Sequence, residues 1–187
     1  MLGPVDVIGN GSTVALGGKQ QRRLFAVLVA NRGRVVAVDR LVEVLWPGED
    51  GPVDAVSTVH TYVARLRRAL GDRAVLRLGP GYQLDASADK VDADEFERLL
   101  AAARGESGRV AVTMYERALG MWRGGAYLDF VEEWWARAEV ERLEELGLVA
   151  AEERFEWLMQ LGDHAVAVAE LHGWSPVSRV VGGSWAS

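Results

Sequence analysis

One set of polar side chains between Asp54 and Arg68 has the three- and four-residue spacing that places residues on one side of an α-helix. The set consists of Asp54, Ser57, Thr58, Thr61, Arg65 and Arg68. Guanidinium groups donate hydrogen bonds to phosphates or, in pairs, to guanine edges, and short hydroxyl side chains bond phosphates or bases. A solvated amphipathic helix has the same pattern, so the neighbouring elements must decide between the two interpretations.

The opposite side of this stretch is apolar. Its members are Val56, Val59, Val63, Leu66 and Leu70. They recur at intervals of three and four residues, which predicts a helix that buries one face. Asp54 is placed to cap the first turn and Gly71 to end the helix in a left-handed conformation, so we predict a helix within residues 53–71.

Two shorter helices and two hairpins surround this helix. The sequence predicts strands at 5–8 and 13–16 around the turn 9–11, a helix over 19–31, a short strand at 35–38, a helix from its cap at Asp39 to about Trp46, and strands at 75–78 and 82–84 joined by Gly79-Pro80-Gly81. Two helices, a basic third helix and a β-hairpin form the winged helix-turn-helix arrangement. In that arrangement the third helix enters the major groove and the hairpin touches the neighbouring backbone or minor groove.

The second half of the chain predicts helices only. They begin at Asp92 with a capping pattern, continue from 109 to Trp122 and from about 132 to 161, and end with a helix from 163 to about 171. Their helix-turn-helix rhythm and small residues at expected crossings predict a tetratricopeptide-like array. In the third of these helices we expect Trp134, Trp135, Leu148 and Leu161 among the buried residues, and a break or kink at Gly147.

The predicted fold is therefore mainly α with a small β component. A winged helix-turn-helix domain occupies residues 1–89, an all-α tetratricopeptide-like helical domain occupies 92–172, and residues 173–187 form an atypical tail without helical period.

Charge divides the chain in the same place. Residues 1–90 contain 12 Lys and Arg against 9 Asp and Glu, whereas residues 91–187 contain 9 against 18. Opposite balances indicate two modules with different partners, the basic one suited to nucleic acid. There is no cysteine, no secretory leader and no apolar run that approaches a membrane span, so we expect a cytoplasmic protein without membrane association.

Catalysis has little support in the sequence. The histidines, His60, His164 and His172, are widely spaced, and the paired glutamates resemble solvated helix faces. The glycines near Lys19 do not match a phosphate-binding loop. We therefore predict no enzyme activity, no catalytic residues, no metal site and no cofactor.

Several motifs together resemble one family, the streptomycete antibiotic regulatory proteins. They are LGGKQQRRLFAVLVANRGRVVAVDRLVEVLW, HTYVARLRRALG, GPGYQLD, VDADEFERL and ALGMWRGGAYLD, in that order, and the resemblance covers roughly residues 2–172. It implies an OmpR/PhoB-type winged helix followed by a bacterial transcriptional activation domain. It further implies a regulator that binds direct repeats in double-stranded DNA as a homodimer, at least on DNA, contacts RNA polymerase holoenzyme, and controls secondary-metabolite genes. The resemblance also implies that the protein is located in the cytoplasm, in association with the nucleoid.

The resemblance implies DNA contacts from Ser57, Thr58, Tyr62, Arg65, Arg67 and Arg68, and the helical face adds Thr61. In the wing, many relatives carry arginine directly before the Gly-x-Gly-Tyr turn, where this chain has Leu78 preceded by Arg77. The predicted DNA-binding set is Ser57, Thr58, Thr61, Tyr62, Arg65, Arg67, Arg68 and Arg77.

Two alternatives to an activator remain open. The family's activation domain normally continues through further helix pairs, so a shortened one would leave a DNA-binding competitor or repressor without activation. A helical protein-interaction adaptor is the other alternative. Because a shortened helical array should expose apolar surface, we also expect dimerisation or a partner through residues 130–187.

Overall fold

The computed structural model describes residues 1–9, 11–48, 51–85 and 91–171, with side chains described as far as residue 167. The chain divides into two compact units. The first consists of Val5–Val91 and Glu133–Ala136 and is called the winged-helix unit. The second consists of Met1–Pro4, Asp92–Glu132 and the residues from Arg137 onward, and is called the helical unit.

The winged-helix unit follows the predicted order of elements. These are β1 (Ile8–Gly9), β2 (Ser12–Thr13), α1 (Lys19–Ala30), β3 (Val36–Ala37), α2 (Val38–Leu45), α3 (Ala55–Leu70), β4 (Val75–Leu78) and β5 (Gly81–Leu84). β1 and β2 pair as a hairpin shorter than predicted, and the turn residue Asn10 lies outside the described residues. β3, β5 and β4 form an antiparallel sheet in that order, so the C-terminal hairpin is the wing.

The core of this unit lies between its three helices and the sheet. Its most deeply buried side chains include Leu24, Leu28, Leu41, Leu45, Val59, Val63, Leu66 and Val75. At the sheet, β3 and β5 approach so closely that a Cβ on Gly81 would lie 2.2 Å from the carbonyl oxygen of Val36. Only glycine leaves room for this pairing, which ties the wing to the strand before α2.

Two local predictions in this unit were wrong. Asp39 lies inside the first turn of α2, and the N-cap is Ala37, which has no side-chain cap hydrogen bond. Val56, expected in the buried stripe of α3, is 43% exposed, because it lies in the first turn and the buried stripe begins at Val59.

A short segment from late in the chain belongs to the winged-helix unit. Glu133 forms an ion pair with Arg23 of α1, and the guanidinium carbon of Arg40 lies 3.9 Å from the centroid of a Trp134 ring. Residues 131–136 are turns instead of the first turn of the predicted long helix. These tertiary contacts outweigh the local helical pattern, and Trp134, predicted to be buried, is 42% exposed.

The helical unit contains four α-helices and a short 3-10 helix among its described residues. They are α4 (Asp92–Arg104), α5 (Gly108–Leu119), the 3-10 helix Leu128–Phe130, α6 (Arg137–Gln160) and α7 (His164–Leu171). α4 packs on α5, α5 on α6 and α6 on α7, which is the neighbour-to-neighbour packing of a helical array. Its largest fully buried side chains are Leu2, Phe96, Leu100, Tyr115, Tyr127, Leu143 and Leu158.

The first four residues belong to the helical unit, although the sequence placed them with the first domain. The backbone N–H of Leu2 donates to Asp92 Oδ2 at 3.0 Å, and the N–H of Arg123 donates to the Leu2 carbonyl at 2.7 Å. Leu2 itself is fully buried. Residues 1–4 therefore belong to the helical unit and residues 133–136 to the winged-helix unit. The predicted limits 1–89 and 92–172 place each of these segments in the other unit.

Other differences concern α6. Leu148 and Leu161 are 49% and 40% exposed, although the pattern predicted burial. The helix passes through Gly147 without interruption, and Gly147 is buried. Residues 173–187 and His172 lie outside the described residues. Among the helices that the structure describes, none is long and apolar enough to cross a membrane.

Candidate nucleic-acid interface

Helix α3 is held in place from its first residue to its last. The Asp54 carboxylate accepts a hydrogen bond from the backbone N–H of Ser57 at 2.9 Å, which caps the N-terminus as predicted. Gly71 ends the helix with φ of 105°, a conformation that side chains disfavour. The helix packs against α1 and α2. Its polar face is therefore presented by a helix fixed at both ends.

The polar face of α3 is exposed. Ser57, Thr61, Arg65 and Arg68 are exposed and Thr58 is half-buried. Among the described residues, neither Arg65 nor Arg68 has a hydrogen-bond or ion-pair partner within the chain. Two guanidinium groups on one exposed helix face leave their donors available for a ligand.

The hydroxyl groups of this face are already bonded within the helix. Thr58 Oγ1 donates to the Asp54 carbonyl at 2.8 Å, and Thr61 Oγ1 donates to the Ser57 carbonyl at 3.0 Å. The pKa of Asp54 is lowered, first by the backbone hydrogen bond from Ser57 and then by the Ser57 side chain. The hydroxyl donors of Thr58 and Thr61 are thus used locally, a competition typical of Ser and Thr in helices.

Tyr62 and Arg67 lie on the flanks of α3 and contact the scaffold. The Tyr62 ring centroid lies 6.1 Å from that of Trp46. Arg67 Nε donates to the Val75 carbonyl at 2.8 Å, and its guanidinium carbon lies 5.8 Å from the Tyr82 ring centroid. Arg67 therefore connects the third helix to the wing.

A second contact between α3 and the wing strengthens this connection. His60 meets Tyr82 edge to face, with centroids 6.0 Å apart and planes at 74°. Both Arg67 and His60 thus contact the same aromatic ring of β5. This packing holds the wing in a fixed position beside α3 within the unit.

The wing presents one charged and one apolar residue. Arg77 is exposed near the end of β4, and Leu78, at the strand's last position, is 42% exposed. The turn Gly79-Pro80 follows directly, with Gly79 at φ of 54°. The predicted DNA-binding residues thus fall into three groups: Ser57, Thr58, Thr61, Arg65 and Arg68 on the open face, Tyr62 and Arg67 on the flanks, and Arg77 in the wing.

Sequence reasoning missed Ala64 on the open face. It lies three residues after Thr61, it is exposed, and it carries only a methyl group. The same helical spacing that selected the polar residues includes this position, but a small apolar side chain gave no chemical signal.

The structure offers no metal cluster in the part that it describes. Across residues 1–9, 11–48, 51–85 and 91–171, no three His, Asp or Glu side chains come together as metal ligands would. The candidate site is the open face of α3, where Arg65 and Arg68 are exposed and have no partner among the described residues.

Comparison with known proteins agrees with this geometry. Residues 11–84 match the family model "Transcriptional regulatory protein, C terminal", and residues 91–177 match "Bacterial transcriptional activator domain". Regulatory protein DnrI of Streptomyces peucetius is 36% identical, over 91% of this chain and 68% of its own length. Regulatory protein AfsR of Streptomyces griseus is 33% identical, over 91% of this chain but only 18% of its own length.

A solved structure has the same architecture. It is EmbR of Mycobacterium tuberculosis, determined in complex with a low affinity phosphopeptide, and it matches with a TM-score of 0.80 and 29% identity. The match covers 91% of this chain and 48% of EmbR, so this chain corresponds to about half of that protein. From its two family models and its likeness to DnrI, the chain belongs to the streptomycete antibiotic regulatory protein family of transcriptional regulators, with an OmpR/PhoB-type winged helix and a bacterial transcriptional activator domain.

Proposed function

We propose that this protein is a sequence-specific, double-stranded-DNA-binding transcriptional regulator whose helix α3 enters the major groove. The observation that carries the proposal is the open face of α3, on which Arg65 and Arg68 are exposed and lack partners among the described residues. Arginine pairs its donors with guanine O6 and N7 or with phosphate oxygens, and a guanidinium without internal partners has all five of its N–H donors available for them.

The remaining predicted residues have supporting roles in this proposal. Arg77 contacts the backbone or minor groove beside the site of α3, because it lies on the wing. Tyr62 and Arg67 contact the phosphate backbone at the edges of the groove. Arg67 keeps its bond to Val75, because that bond uses only Nε and leaves the donors of the two terminal nitrogens. Thr58 and Thr61 accept hydrogen bonds or make van der Waals contacts, since their donors are used within the helix, and Ser57 contacts DNA through its exposed hydroxyl group.

The proposal extends to how the protein acts on a promoter. Residues 1–89 bind a direct-repeat operator as a homodimer on DNA, and residues 92–172 contact RNA polymerase holoenzyme. Transcription of secondary-metabolite genes, such as those for antibiotics, then rises. The protein works in the cytoplasm, associated with the nucleoid. Membership in the family and the match of residues 91–177 to the activator-domain model support this part.

The DNA-binding part is tested on duplexes selected by the full chain from a random pool. Affinity is measured by fluorescence anisotropy from low to high salt for the wild type, Arg65→Ala and Arg68→Ala. Each alanine variant should lose about 1–3 kcal/mol of binding free energy where its arginine reads a base, or about one unit of salt slope where it binds phosphate. Arg137→Ala is the control, because Arg137 is an exposed arginine of the helical unit. Equal affinity for the wild type and the double variant Arg65→Ala/Arg68→Ala would refute the groove assignment.

Activation is tested separately by run-off transcription. A template that carries the selected site upstream of a promoter should yield more transcript when the full chain is added to RNA polymerase holoenzyme. Binding without an increase in transcript would instead identify a competitor or repressor. Failure of the full chain to enrich any duplex from the random pool would favour the protein-interaction adaptor.

A further inference from the structure

On the open face of helix α3, both threonine hydroxyl groups donate to backbone carbonyls of the helix. Thr61 Oγ1 donates to the Ser57 carbonyl at 3.0 Å, and Thr58 Oγ1 donates to the Asp54 carbonyl at 2.8 Å. A threonine Cβ carries only two heavy substituents, the hydroxyl and the methyl. With the hydroxyl held to the backbone, an exposed threonine presents a methyl group and oxygen lone pairs, but no donor.

Two methyl groups consequently lie together on the face. Thr61 and Ala64 are both exposed and are three residues apart, the spacing of neighbours on a helix surface. Arg65 follows Ala64 directly, and Arg68 follows one turn later on the same side, both without partners among the described residues. A small apolar patch thus lies beside two available guanidinium groups.

We propose that Thr61 and Ala64 form a methyl-reading surface that contacts the C5-methyl group of a pyrimidine in the major groove. In ordinary DNA this group belongs to thymine, and in methylated DNA also to 5-methylcytosine. Apolar contact with the thymine methyl by Ala or by a Thr methyl is an established mode of base readout. The inference rests on the proposed DNA-binding function and deepens it: the site recognised contains a pyrimidine C5-methyl next to a guanine that Arg65 or Arg68 reads.

Two substitutions at one position separate the methyl from the hydroxyl. Thr61→Ser keeps the hydroxyl that bonds the Ser57 carbonyl and removes the methyl, whereas Thr61→Val keeps the methyl and replaces the hydroxyl by a second methyl. Thr113 supplies a matched control, because it is an exposed helical threonine of the helical unit whose Oγ1 donates to the Arg109 carbonyl at 3.0 Å. Thr113→Ser and Thr113→Val therefore reproduce the change in helix stability without touching the DNA-facing surface.

The measurement is the affinity of the full chain for its selected duplex. Thr61→Val should bind within about two-fold of the wild type, and Thr61→Ser should bind about four-fold more weakly, the equivalent of one buried methyl. Both Thr113 variants should bind like the wild type. Loss of binding in Thr61→Val with full binding in Thr61→Ser would overturn the inference, because the hydroxyl would then be the contacting group.

The DNA supplies the second half of the test. Each thymine of the selected duplex is replaced in turn by deoxyuridine, which removes only the C5-methyl. At one or more positions the wild type should lose about four-fold in affinity, and Thr61→Ser should lose less. At the same position, a 5-methylcytosine–guanine pair should bind more tightly than an unmethylated cytosine–guanine pair, which separates the methyl from the other groups of thymine.

Ala64 is tested in the same way against a matched alanine. Ala64→Gly removes the second methyl, and Ala69→Gly makes the same substitution at an exposed position in the last turn of α3. Both replace alanine by a poorer helix former, but only Ala64→Gly should reduce the effect of deoxyuridine. Tight binding that no deoxyuridine substitution alters would overturn the methyl inference alone. Absence of binding to every duplex would overturn the proposed function and this inference with it.

Discussion

Replacement of Arg67 by alanine should destabilise the winged-helix unit. Arg67 Nε donates to the carbonyl of Val75, a fully buried residue, at 2.8 Å. A hydrogen bond from a charged group contributes about 1.5–3 kcal/mol, and because Arg67 is half-buried we expect a loss of about 1–2 kcal/mol in the free energy of unfolding. The assay is urea unfolding followed by tryptophan fluorescence.

The neighbouring arginines Arg65 and Arg68 are the controls for this prediction. Arg65→Ala and Arg68→Ala remove exposed side chains and should change the free energy of unfolding by less than about 0.5 kcal/mol, while they weaken DNA binding. Arg67→Lys keeps the charge but loses Nε, so it should lose stability as Arg67→Ala does. The reasoning would be refuted if Arg67→Ala unfolded at the wild-type urea concentration, or if Arg65→Ala lost as much stability as Arg67→Ala.

Three further predictions concern the scaffold. Gly81→Ala should break the pairing of β3 with β5, because its Cβ would lie 2.2 Å from the Val36 carbonyl oxygen; we expect at least about 2 kcal/mol of destabilisation in thermal or urea unfolding. The pKa of Asp54 is lowered mainly by the backbone hydrogen bond from Ser57. The ionised carboxylate therefore stabilises the folded state above the pKa of the unfolded chain, and this stabilisation is lost as the pH falls through the lower pKa of the folded state. Asp54→Asn, which keeps a capping oxygen, should remove that part of the acid dependence of the urea midpoint. Burial, followed by a hydrogen bond to a glutamate of α6, raises the pKa of Tyr115 to about 12, so stability should fall as the pH rises from about 10 to 12, and Tyr115→Phe should flatten that decline.

Local sequence rules predicted most of the elements because each carries its own signals. The spacing of Val59, Val63 and Leu66 matches the buried side of α3, and Asp54 and Gly71 mark its ends within one or two residues. The wing was predicted from the turn at 79–81 between two apolar runs. Such signals depend on side chains a few residues apart, which the sequence displays directly.

The secondary-structure prediction failed where contacts with residues distant in sequence determine the backbone conformation. The segment 131–136 reads as the start of a helix, but Glu133 and Trp134 contact Arg23 and Arg40 of the winged-helix unit, so α6 begins only at Arg137. No local pattern reveals a partner more than 90 residues away.

The sequence by itself determined that a basic helix follows two short helices and precedes a hairpin, and it selected the arginines of that helix. Only the tertiary structure distinguished among them. Arg67 is bonded to the wing, whereas Arg65 and Arg68 have no partner in the described part of the chain. The structure also shows that the hydroxyl groups of Thr58 and Thr61 donate to backbone carbonyls of α3, and that Thr61 and Ala64 are exposed. Residue type and spacing define which groups share a face, but the partner of each donor is fixed only when the folded backbone places a carbonyl within its reach.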